Sequence, residues 1–235
     1  MSRSGAQTRI PGTGPEAEAG AAPGTGSEPR SGRGAGRSTG PEAGSRSYHH
    51  GNLRAALLDS AFALLTDTPP GSMSLRAVAR HAQVSHSAPY HYFADRTALL
   101  EALGTECMVR FVDAQEAAVA AAGSGIARLR AQGLAYVGFA ADNPHAFQLI
   151  YDPEICTPGD PTPERAVQIE RIEALLGSCV AAAQAEGMFA EADTAELAVG
   201  MWGTVHGLAR LLIEGHLDHA AASAAITAIA SGERP

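Results

Sequence analysis

Apolar positions along this chain recur at helical spacing over most of its length and almost nowhere at period two. Leu53, Leu57, Ala61 and Leu64 lie beside a second row of Leu58, Phe62 and Leu65, which predicts a helix over about 52–67 with Asn52 as its cap. Thr68-Pro69-Pro70-Gly71 ends that helix. A second helix is predicted after Ser74 on Leu75, Val78 and Ala79, finishing near Ala82. A third, short one falls within 85–93, and a fourth opens at the N-cap Asp95 and runs through Leu99, Leu100 and Leu103.

The rest of the chain repeats the pattern. Helices are predicted over about 126–142, stopped before Asn143-Pro144, and over 144–151, followed by a Pro/Gly/Thr/Asp loop at 152–162. Thr162-Pro163 opens a long helix striped by Ile169, Ile172, Leu176, Val180 and Ala183 and closed by Gly187. Asp193-x-x-Glu196 reads as a capping box opening a helix over 194–214, and an alanine-rich helix covers about 219–231. The expected fold is all-α, with about nine helices.

Residues 1–47 change the picture at one end. Gly, Pro and Ser supply 23 of these 47 positions, too polar a mixture to offset chain entropy, so a disordered tail is expected. Its Arg30, Arg33, Arg37 and Arg46 belong either to a solvated linker or to a segment that grazes DNA phosphates. The remainder is expected to form two domains, 48–108 and 109–235. The net charge of −8 resolves into +2 over 1–47, zero over 48–104 and −10 over 105–235. All the basic residues are arginine, and five of the nine histidines fall in 48–104. An acidic body beside a neutral-to-basic module suits a protein that offers one end to nucleic acid.

No stretch approaches the ~20 apolar residues of a membrane span, and no secretory h-region stands at the N-terminus, so a cytoplasmic protein is expected. Cys107, Cys156 and Cys179 form no C-x-x-C pair, which fits reduced thiols in core or surface positions.

Residues 85–93, S-H-S-A-P-Y-H-Y-F, concentrate the candidate chemistry. A metal site needs ligands on one helical face, yet His86 and His91 stand five apart, about 140° around the axis. An aromatic ligand box would need a longer helix to wall it. A helix-turn-helix over 74–93 accounts for more of the residues. Leu75, Val78 and Val84 fill the wedge, Ala79 lets the helices cross, and Ser85 is placed to cap the second one. Pro89 falls in a first turn where a missing N–H costs least. Small Ser87 and Ala88 permit close entry to a major groove, with His86, Tyr90, His91 and Tyr92 toward bases and phosphates and Phe93 inward. Tyr92 is equally suited to the module's core. Ser85, Arg76, Arg96 and His49 complete the expected DNA-facing set.

With F-x-D-R-x-x-L-L-x-A-L following at 93–103, residues 48–104 resemble the DNA-binding domain of the TetR/AcrR family of bacterial transcriptional regulators. Y-H-H-G-N-L-R at 48–54, A-P-Y-H-Y-F at 88–93 and W-G-T-V-H-G at 202–207 further resemble the subgroup named for a C-terminal Trp-His-Gly motif. The likeness spans about 48–215. It implies a homodimer paired through its last two helices, two reading helices on a palindromic double-stranded operator, and release of DNA by a small-molecule effector. Three departures stand out: Gln83 where the turn usually has glycine, Arg96 for the more usual lysine, and Pro89 with His91 in the reading helix.

Helix 194–214 carries two apolar rows, Leu197/Met201/Val205/Leu208/Leu212 and Ala198/Trp202/Ala209/Ile213, and is expected to be buried on two sides. Met201, Val205, Leu208, Leu212, Ile226 and Ile229 are the expected dimer contacts. Trp202 and His206, with Tyr136, Phe139, Phe147, Ile150 and Tyr151, either line an effector pocket or anchor the core. No G-x-S-x-G, H-E-x-x-H or phosphate loop supports an enzyme, and nothing calls for a cofactor or metal. A thiol- or metal-sensing regulator on the same fold remains the alternative.

Overall fold

The computed structural model describes residues 53–189 and 191–231. The expected Asn52 cap, the tail over 1–47 and His49 lie outside them. Eight α-helices and two 3₁₀ turns make up the regular structure of the described residues: α1 (Leu53–Leu64), α2 (Leu75–His81), α3 (Arg96–Ala120), α4 (Gly125–Asp142), α5 (Pro144–Ile150), α6 (Pro163–Ala185), α7 (Thr194–Ile213) and α8 (His219–Ser231). The fold is all-α, as expected. The element over 85–93 is the exception in kind: only Ala88–His91 is helical, and it is a 3₁₀ turn. Pro89 has no N–H to send back to Ser85, and the Ala88 N–H reaches the Ser85 carbonyl three residues earlier at 3.0 Å.

Helix starts follow side-chain chemistry. Ser74 accepts from the Ala77 N–H, Asp95 from Ala98, Thr162 from Arg165, and Asp193 from both Ala195 and Glu196. Helix α1 ends at Leu64, earlier than its apolar rows suggest, because residues 65–67 close with i→i−3 bonds on the way to Pro69. Helix α2 ends in a Schellman arrangement. Val84 N–H donates to the Ala79 carbonyl and Gln83 N–H to Arg80, which places Gln83 at φ 57°. The same arrangement closes α6 on Gly187 at φ 92°.

Helix α3 is about 37 Å long by its 25 residues and joins the two parts of the molecule. Its first half packs on α1 through Leu99, Leu100 and Leu103, all but inaccessible to solvent. Arg110 ties it to Asp59 of α1 and lies 4.2 Å from the centre of the Phe62 ring. Its second half packs on α4, α5 and α6, where Arg171 of α6 bridges Asp113 at 2.8 Å and Glu116 at 2.6 Å. Helix α4 starts hard against α6. A Cβ at Gly125 would overlap the Ala182 carbonyl and stand 2.8 Å from the Ala183 nitrogen, and Glu186 accepts from the Gly125 and Ile126 amides there. Among the described residues no helix is long and apolar enough to cross a membrane.

Candidate nucleic-acid interface and effector cavity

The turn expected to read DNA, within 85–93, is anchored by its apolar members and presents its polar ones. Ala88 and Pro89 are buried against α2, and Phe93 is buried beneath the Arg54 guanidinium. Ser85, His86, Ser87, His91, Tyr90 and Tyr92 are exposed, the last two by 51% and 41%. Tyr92 therefore belongs to the surface and not to the core. Ser85 does not cap the turn. Its hydroxyl lies 3.2 Å from that of Ser87, and no side chain caps Ala88–His91. Arg76 is exposed on α2.

Arg96 is placed differently from expectation. Its Nε donates to the Met73 carbonyl at 2.9 Å and its Nη2 to Pro70 at 2.7 Å, so the guanidinium holds the loop between α1 and α2. A phosphate contact would have to compete with these bonds. Behind this module, the His145 Nδ1 of α5 lies 2.8 Å from the Leu65 carbonyl oxygen, a direct tie from the C-terminal body to the end of α1.

In the body, the expected pocket residues converge. Tyr136 hydroxyl lies 2.8 Å from that of Tyr151 and 3.0 Å from His206 Nδ1. Burial pushes both phenols up, Tyr136 well above its ordinary value, so both stay protonated. Burial, and then Arg210 four residues on, push the His206 imidazole down. Phe147 packs on Tyr136, Tyr151 and His206, and Phe111 of α3 meets Tyr136, Phe139 and Phe147 edge-on at 4.7, 5.2 and 5.9 Å.

Two cavities adjoin this cluster. The larger, about 300 Å³, is lined by Ile150, Tyr151, Cys156, Arg165, Glu173 and Trp202 among others. The smaller, about 50 Å³, is lined by Gln115, Gln132, Tyr136, Trp202, Val205 and Ile226 among others. Tyr136, Ile150, Tyr151 and Trp202 thus stand on cavity walls. Phe139, Phe147 and His206 stand behind them as packing.

Of the expected dimer contacts, Ile226 is corrected. It is 5% exposed, and its Cγ2 would stand 3.0 Å from a Cβ at Gly133 of α4, so it belongs to the protomer's own core. Met201, Val205, Leu208 and Leu212 are half-buried and Ile229 is exposed. Only Ala198 and Ala209 of α7 are fully buried, and Cβ atoms at Gly200, Gly203 or Gly207 would meet nothing within 4 Å.

Burial pushes the thiols of Cys107, Cys156 and Cys179 up, which keeps them protonated and poorly nucleophilic. Among the described residues no three His, Cys, Asp or Glu side chains come together as a metal site.

Comparison with known proteins now decides the family. Residues 57–103 match the model of bacterial regulatory proteins of the tetR family, and residues 129–230 match a tetracyclin repressor-like C-terminal domain. The chain belongs to the TetR family. A protein of unknown function from Rhodococcus sp. RHA1 is 33% identical over 80% of this chain and 98% of its own, with a TM-score of 0.67. The TetR-family regulator PfmR from Thermus thermophilus is 20% identical over 76% of this chain and 99% of its own, at a TM-score of 0.57. FadR from Bacillus subtilis, solved with stearoyl-CoA, is 14% identical over 77% and 100%, at 0.58. No curated protein sequence matches.

As a TetR-family chain it is a DNA-binding regulator of transcription, and the turn at Ala88–His91 sits inside the matched N-terminal segment. The matched C-terminal domain is the tetracyclin repressor-like one. The sequence reading missed Phe111, Gln115, Arg165 and Glu173. Phe111 and Gln115 extend the four-residue spacing of Leu99, Leu103 and Cys107, a stripe that could have been followed further. Arg165 and Glu173 carry no local signal, since polar residues on a helix ordinarily face solvent.

Proposed function

We propose that the protein is a homodimeric repressor that leaves a palindromic operator when a small molecule fills its C-terminal cavity. The observation that carries DNA reading is the exposed row Ser85, His86, Ser87, Tyr90, His91 and Tyr92 on a turn locked by buried Ala88 and Pro89. Rigid support with free polar tips is what base-edge recognition demands. Pairing is supported by α7, an apolar helix left largely half-buried in the protomer, with a smooth glycine face outward. Two protomers about a two-fold axis set two reading turns on one side of a duplex.

Release follows from how α5 is held. Its C-terminal end supplies Ile150 to the larger cavity, with Tyr151 next to it, while His145 near its start bonds the Leu65 carbonyl. A ligand that moves Tyr151 moves α5 and, through it, the reading module. Acting on the cell's own DNA, the protein works in the cytoplasm. The test is selection of bound duplexes from a random pool by the full chain, followed by sedimentation of the complex. Two half-sites with two chains per duplex are expected. One half-site bound by one chain would overturn the dimeric reading.

A further inference from the structure

The two cavities beside Trp202, a smaller and a larger lobe, share a wall. Trp202, Ile172 and Leu176 line both, so these apolar side chains form the partition between them. Three oxygen atoms at the two lobes lack a donor partner. Among the described residues, the buried side-chain oxygens without a hydrogen-bond partner are Gln115 Oε1, Gln132 Oε1 and Glu173 Oε1. Glu173 lines the larger lobe, and Gln115 and Gln132 the smaller. Gln115 is wholly buried, and its amide orientation is set by donation from Nε2 to the Phe111 carbonyl at 3.0 Å, which leaves Oε1 as an acceptor.

An unpaired buried acceptor costs the full desolvation of that atom, and three at two adjoining cavities are not removed by packing. A ligand donor in the larger lobe would satisfy Glu173 Oε1. Burial, and then the like charge of Glu170 three residues earlier, push the Glu173 carboxyl up. Arg165 lines the same lobe, but its guanidinium already donates to the Gly104 and Ile150 carbonyls, which makes it a poor anchor for an anion.

We propose that this site binds a protonated amine carrying an apolar body, with the ammonium at Glu173 and the body along Ile172, Leu176 and Trp202. The charge-assisted bond favours an amine over an alcohol of equal length, and Glu173 excludes a carboxylate. This deepens the effector reading and depends on it only for the DNA response.

The test uses the full chain and three probes of one length: octylamine, 1-octanol and octanoate. Trp202 is the chain's single tryptophan, so its fluorescence reports occupancy directly. Octylamine is expected to bind about tenfold tighter than octanol and tighter still than octanoate. Glu173→Gln should abolish that order, and Glu173→Asp, which keeps the charge, should retain it. Octanol or octanoate binding as tightly as octylamine, or an unchanged order in Glu173→Gln, overturns the proposal. DNA anisotropy is read in parallel. Amine binding in the expected order without DNA release refutes the effector reading and leaves the amine site standing. Octanoate binding as tightly as octylamine, with release of DNA by octanoate, does the reverse.

Discussion

The His145 imidazole and the Leu65 carbonyl oxygen, 80 residues apart in sequence, lie 2.8 Å apart and join the C-terminal body to the end of α1. The bond is half-buried and spans the two matched family segments. His145→Ala should cost about 0.5–1.5 kcal/mol in urea unfolding and speed amide exchange in the turn at 65–68. Unchanged exchange there would mean that the two parts are joined through α3 alone.

Gln83 occupies a Schellman position at φ 57°, where an L side chain crowds its own carbonyl. Gln83→Gly should raise stability by about 0.5–1 kcal/mol, read from thermal or urea midpoints. A loss of stability would show that the side chain makes contacts outweighing the backbone strain.

Gly125 needs to be glycine for packing, not for conformation. A Cβ there would overlap the carbonyl carbon and oxygen of Ala182, both backbone atoms that cannot swing away. Gly125→Ala should cost about 1–3 kcal/mol or more despite alanine's better helix propensity. Calorimetry of the variant decides it, and a neutral result would mean that α4 and α6 part easily.

Under the proposed function, substitutions at and beside the turn within 85–93 should have separable effects on DNA binding. His91→Ala should cost about 1–3 kcal/mol on the operator and little on nonspecific duplex, as for a base contact. Tyr90→Ala should weaken both equally, as for a phosphate contact. Arg96→Ala should act mainly through the loop at 70–73 that its guanidinium holds, with a changed thermal midpoint and a nearly unchanged salt slope. Anisotropy titrations at several salt concentrations separate these outcomes. A salt slope reduced by about one unit in Arg96→Ala would restore it to the phosphate contacts.

His206 should make stability depend on pH. Its folded pKa is lowered by burial, and then by Arg210, from the ordinary 6.5. The unfolded chain thus binds a proton more readily, so this contribution is complete above about 6.5 and is lost as pH falls toward the folded value. His206→Asn should flatten the urea midpoint between about pH 7 and 5 relative to the parent. An equal fall in both would assign the effect to other groups.

Much of this was legible because it is local. Asp95, Thr162 and Asp193 cap the helices they precede, and their signal is a side chain within three residues of the amides it accepts from. Gln83 was identifiable as a strained corner because a helix end followed by a second helix leaves few backbone solutions. The short helical element within 85–93 was placed correctly but not its form. Pro89 and two serines weaken α-helix formation, and packing of Ala88 and Pro89 on α2 selects the tighter 3₁₀ geometry.

By itself the sequence determined an all-helical chain, the helix starts at Asp95, Thr162 and Asp193, and its family, since periodicity and caps act over single turns. Only the tertiary structure decided that Arg96 bonds two carbonyls, that Ile226 belongs to the protomer's own core, and that Gln115 and Glu173 hold unpaired oxygens at a common apolar partition. Each of these depends on residues distant along the chain. A side chain's burial and pairing are set by which helices pack together, and helical periodicity records which face is apolar but not what it meets.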